Sequence, residues 1–99
     1  MIAPLGSAGA APGFPRRLVV PGPAARMLRK LPGAAGADVL AALTSYAATG
    51  AGNVRQLVNA HPPAFRLRVG DFRAVFRLAE VEGAAAVVVE WVGNRRDAY

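Results

Sequence analysis

The chain has 99 residues, 54% of them hydrophobic, and carries 12 Lys and Arg against 6 Asp and Glu, a formal net charge of +6. That length holds one small domain with a single core, and the basic surplus favours a polyanionic partner, either nucleic acid or an acidic protein. The absence of cysteine excludes a disulfide framework, a thiolate nucleophile and a cysteine zinc site, and one His with scattered carboxylates offers no ligand set at metal-binding spacing, so neither metal nor cofactor is expected.

Residues 1–14 are rich in Ala, Gly and Pro with no period, which predicts a disordered or loosely attached extension ahead of a domain spanning residues 15–99. The opening Met1-Ile2-Ala3-Pro4-Leu5 lacks a basic flank and is interrupted by Pro4, Gly6, Pro12 and Gly13 before reaching signal-peptide length. No apolar run approaches a membrane span either, so a cytoplasmic protein is expected.

Arg16-Arg17-Leu18-Val19-Val20 reads as a first strand closed by Pro21-Gly22, and Pro23 suits the start of a helix. From Ala24 to Leu31 the spacing sets Met27, Leu28 and Leu31 on one side, until Pro32-Gly33 stops the helix. A second helix is predicted over 35–48, with Val39, Leu40, Leu43, Tyr46 and Ala47 at helical spacing and Gly50 as its stop. The two form an αα-hairpin. Residues 53–64 alternate too weakly to choose between a short strand and a loop, and His61-Pro62-Pro63 breaks the pattern.

The stretch from Phe65 to Leu78 is the most informative. Apolar and polar residues alternate on both sides of Gly70-Asp71, which predicts a β-hairpin with a two-residue turn. Counting outward sets Phe65 against Phe76, Leu67 against Ala74 and Arg68 against Arg73. One face then carries Arg66, Arg68, Arg73 and Arg77, while Phe65, Leu67, Val69, Phe72, Ala74, Phe76 and Leu78 meet the core. Like charges opposed across a ladder destabilise it, and Arg does not lose its proton at ordinary pH, so this face is best relieved by an anion. Ala86-Val87-Val88-Val89-Glu90-Trp91-Val92 is nearly continuous in its hydrophobicity and reads as a third strand inside the sheet, with the face of Glu90 left open. The expectation is an α+β domain: a small antiparallel sheet of three or four strands, with the N-terminal αα-hairpin packed on one face in the order β-α-α-β-β-β.

Phe65-Arg66-Leu67-Arg68-Val69-Gly70-Asp71-Phe72-Arg73 resembles the central hairpin of the RelE/ParE superfamily of toxins from bacterial type II toxin-antitoxin systems. Val92-Gly93-Asn94-Arg95-Arg96-Asp97-Ala98-Tyr99 is similar to the family's closing strand and tail, and residues 17–32 to its first strand and helix. The resemblance implies a small toxin held by an acidic antitoxin. In the RelE branch it implies an endoribonuclease that cleaves mRNA on the ribosome, without metal, by attack of the 2′-hydroxyl on the adjacent phosphate. In the ParE branch it implies a non-catalytic inhibitor of DNA gyrase, and a degenerate member would retain antitoxin binding alone.

By position, Arg73 and Arg95 match arginines that stabilise the phosphate in its transition state. Arg66 and Arg68 match strand cations on the RNA backbone, with Arg77 continuing their face. Tyr99 matches a tail tyrosine that stacks on or deprotonates the nucleotide, although an unperturbed phenol, with a pKa of about 10, needs neighbouring cations to ionise. Asn94 stands where Lys or His is common in the family, and Gln56-Leu57-Val58-Asn59 lacks the usual basic residues of its segment. Asp97 is expected to pair with Arg95 or Arg96, His61 to be a bystander in its Pro-flanked loop, and Trp91 to serve the core or a protein interface.

Overall fold

The computed structural model describes residues 10–97. Its elements are β1 (Arg17–Val19), α1 (Gly22–Arg29), α2 (Ala35–Thr49), β2 (Val54–Gln56), β3 (Phe65–Val69), β4 (Phe72–Val81) and β5 (Ala84–Asn94). All the strands among the described residues join one sheet in the spatial order β1-β5-β4-β3-β2.

The expected hairpin forms in the register obtained by counting, from Phe65↔Phe76 to Val69↔Phe72. Gly70 takes φ +59° at the turn, which a residue without a Cβ adopts freely. Both helices form close to their expected bounds, and Gly50 ends α2 in the left-handed conformation at φ +82°. The α+β class holds, but the sheet differs from the three or four antiparallel strands expected. It has five strands and is mixed. β1 runs parallel to β5, with Arg17↔Ala86 and Val19↔Val88, while β2 pairs antiparallel with β3, with Val54↔Leu67 and Gln56↔Phe65. The three residues of β2 display too little alternation to be assigned, and a parallel pair between strands so far apart in sequence leaves no local signature.

The αα-hairpin covers one face of the sheet. Val39, Leu43, Tyr46 and Ala47 of α2 and Ala24 of α1 are buried against Leu67, Ala74, Phe76, Val87, Val89 and Val92. Aromatic rings tie the layers together: Tyr46 packs on Phe76 at 5.0 Å between centroids, and Phe76 stacks on Phe65 at 5.7 Å. Phe14 adds an edge-on contact to Tyr46 at 5.1 Å, and the Ala11 N–H donates to the Thr49 carbonyl at 2.8 Å. Residues 10–14 are thus joined to the domain, whereas the rest of the expected extension, residues 1–9, lies outside the described residues.

Between Val75↔Trp91 and Phe76↔Val89 the β4–β5 register shifts, which leaves Glu90 as the extra residue of a bulge. Its carboxylate accepts from the Arg77 guanidinium. No helix among the described residues is long and apolar enough to cross a membrane.

Candidate functional site

On the uncovered face, Arg66, Arg68, Arg73, Arg95 and Arg96 line a depression of about 230 Å³. Alternation brings the first three together: Arg68 lies directly opposite Arg73, and Arg66 is two residues back along β3, opposite Val75. Val75 is fully buried between Arg66 on one side and Trp91 on the other, so this floor is apolar beneath its charges. Gly93 faces Arg73 across the β4–β5 ladder, and a Cβ there would meet the Trp91 ring at 2.6 Å. A glycine at that position lets the indole lie over the strand.

The other two arginines arrive from the turn after β5. The Arg95 N–H donates to the Asp71 carbonyl at 2.8 Å, which fastens this turn to the Gly70-Asp71 turn of the hairpin. The Asn94 side chain accepts from the Arg96 N–H at 3.0 Å. Arg73 then donates from Nη2 to the Arg95 carbonyl at 3.1 Å, and Arg68 from Nε to the Gly70 carbonyl at 3.5 Å. Backbone oxygens therefore orient the guanidinium groups without neutralising them. A carboxylate at the edge of the cluster is that of Asp71, whose Oδ1 is 3.7 Å from Arg95 Nε. Arg95 thus pairs with Asp71, whereas Asp97 was expected to pair with Arg95 or Arg96.

Two donors are left over. Among the described residues Arg66 Nη1 and Arg73 Nε are buried with no hydrogen-bond partner, and an unmet buried donor costs about 1–3 kcal/mol, more on a charged group. Burial, followed by the like charges of Arg55, Arg73 and Arg68, holds the Arg66 pKa below its ordinary value. The geometry suits an anion: guanidinium forks gathered on one face, with two buried donors unmet among the described residues.

Of the six residues singled out in the sequence, Arg66, Arg68, Arg73 and Arg95 converge here. Arg77 does not. It was expected among the phosphate ligands, but its guanidinium donates to Glu90 and to the carbonyl of Pro62, with the Pro63 carbonyl at 3.3 Å from Nη1. The bulge at Glu90 supplies that competing partner, and alternation along β4 gave no sign of it. Tyr99 lies outside the described residues. Arg96 was overlooked as a site residue because nothing in Asn94-Arg95-Arg96-Asp97 shows which arginines a turn will direct inward. Among the described residues no three His, Cys, Asp or Glu side chains gather as a metal site would need. What fold and site together define is a small α+β domain with an arginine-lined basin. The chain matches no model of a known protein family and no curated protein.

Proposed function

We propose that this chain is the toxin of a type II toxin-antitoxin pair, a RelE-like endoribonuclease that cuts mRNA on the ribosome. The observation that carries this reading is the basin itself, in which five arginines line a depression of about 230 Å³, roomy enough for a phosphate group, and two of their nitrogens have no partner among the described residues. The resemblance of the hairpin and of the closing strand to the RelE/ParE superfamily supports it from the sequence side. In the proposed reaction a ribose 2′-oxygen forms a bond to the adjacent phosphorus while the bond to the 5′-oxygen breaks, leaving a cyclic phosphate and a 5′-hydroxyl. The proton leaves the 2′-hydroxyl and the departing oxygen gains one. Negative charge builds on the phosphoryl oxygens, and Arg66, Arg73 and Arg95 are the proposed groups that meet it. Losing one such donor costs roughly 3–4 kcal/mol of transition-state stabilisation. Tyr99 is the proposed group for proton transfer or stacking. An acidic antitoxin is the proposed partner, suited to a domain of net charge +6.

A second reading, ParE-like inhibition of DNA gyrase by binding alone, is favoured by one feature. Among the described residues the basin is lined by arginines, with no carboxylate, imidazole or phenol to move a proton. Induced expression in bacteria separates the two. The nuclease reading expects arrested translation and cut mRNA, both abolished by Arg73→Ala. Intact mRNA together with DNA damage would overturn it in favour of the gyrase reading.

A further inference from the structure

The arginine face does not end at the basin. Arg55, the middle residue of β2, stands directly opposite Arg66, so both side chains leave the sheet on the face that carries Arg68 and Arg73. Two opposed arginine pairs therefore occur in succession along β3, Arg55 with Arg66 and then Arg68 with Arg73. Leu67 lies between them, turned into the core at 2% exposure. The ion pairs formed by arginine elsewhere, Arg17 with Glu82, Arg77 with Glu90 and Arg95 with Asp71, leave Arg55 without a carboxylate among the described residues. Arg55 also heads the like charges that depress the Arg66 pKa. It is exposed and does not line the basin. One anion held by the basin would relieve the Arg68–Arg73 pair and leave Arg55 facing Arg66.

We infer that Arg55 and Arg66 form a second phosphate subsite beside the basin, so that the ligand of this face is a polynucleotide strand engaged through at least two consecutive phosphates. The inference rests on the reading of the basin as a phosphate site. The two pairs are offset by two residues of β3, roughly 7 Å, a separation that successive phosphates of an extended strand match. Arg66 belongs to both subsites and is the hinge between them.

The test compares one phosphate with several. The probes are fluorescein-labelled 2′-O-methyl oligouridylates, which lack the attacking hydroxyl: a dinucleotide with one internucleotide phosphate and a tetranucleotide with more. Binding to the full chain is followed by anisotropy over a salt series, with folding of each variant checked by circular dichroism. For a single strand each neutralised phosphate contributes about 0.7 to the slope of log affinity against log salt. Arg55→Gln is expected to leave dinucleotide binding unchanged, to weaken tetranucleotide binding several-fold and to flatten its slope by about 0.7. Arg29→Gln, an exposed cation on α1, serves as the control. If Arg73→Gln abolishes binding of both probes while Arg55→Gln behaves like Arg29→Gln, the second subsite is overturned and the basin survives. If the folded wild-type chain binds neither probe at low salt, the phosphate reading of the basin falls and takes the subsite with it.

Discussion

Arg68 and Arg73 face each other directly across the β3–β4 ladder, and each turns its guanidinium toward a backbone carbonyl rather than a carboxylate. Such a pair opposes folding of the free protein by up to about 1 kcal/mol and is retained on the face that the helices leave open. Arg68→Thr is therefore expected to raise the stability of the free chain by up to about 1 kcal/mol, since Thr also suits a strand. Pyrophosphate should stabilise the wild type through binding to the native state and should stabilise the variant less. Urea unfolding at low salt, with and without pyrophosphate, measures both effects. A variant less stable than the wild type, or one equally stabilised by the anion, would contradict the basin as described.

Arg77 yields the opposite result. Its guanidinium joins the Glu90 carboxylate to the Pro62 carbonyl, and the ion-paired side chains are only 27% and 28% exposed. Arg77→Ala is expected to cost about 1–3 kcal/mol in stability with no loss of oligonucleotide affinity at temperatures where the variant is folded. A fall in affinity equal to that of Arg73→Gln would return Arg77 to the site.

Gly36 lies where the two helices meet. A Cβ at this position would stand 2.6 Å from the Leu28 carbonyl oxygen of α1. Replacing a helical Gly by Ala ordinarily gains about 1 kcal/mol. Here the nearest atom is backbone and has no rotamer to yield, so Gly36→Ala should destabilise the domain by about 1–3 kcal/mol. Chemical denaturation decides the sign.

Tyr46 supplies a pH dependence. Burial raises its pKa above the ordinary value of about 10, partly opposed by Arg16. The fold therefore favours the neutral phenol. That contribution is fully present below the unfolded value and is lost as pH rises through the folded one, so stability should decline above about pH 10. Tyr46→Phe keeps the ring between Phe14 and Phe76 and should flatten this alkaline limb. An unchanged limb would show that another group produces it.

The sequence carries the hairpin in full because each of its determinants is local: strict alternation, a Gly able to adopt positive φ, and strands long enough to count across. The same local logic brought Arg66, Arg68 and Arg73 to one surface. It failed where a side chain's partner comes from a distant segment. Arg77 has the alternation of a site residue, yet Glu90, displaced by a bulge, and Pro62, in a loop, take its charge. Arg55 lies in a three-residue strand whose pattern was too short to recognise, so its position opposite Arg66 came only with the pairing. β1 was visible as a strand but its neighbour was not, since β5 lies at the other end of the chain.

The pairing of β1 with β5, and the supply of Arg95 and Arg96 from just beyond β5, bear on biosynthesis. The first strand has nothing to lie against until the last one has been made, and closing so long a loop is entropically slow. During synthesis the hairpin can emerge with its arginines, but the wall that completes their enclosure follows more than twenty residues later. A nascent or truncated chain ending before residue 94 would thus be an open ribbon without its pocket, and assembly of the finished receptor waits until β5 and the two arginines beyond it have been made.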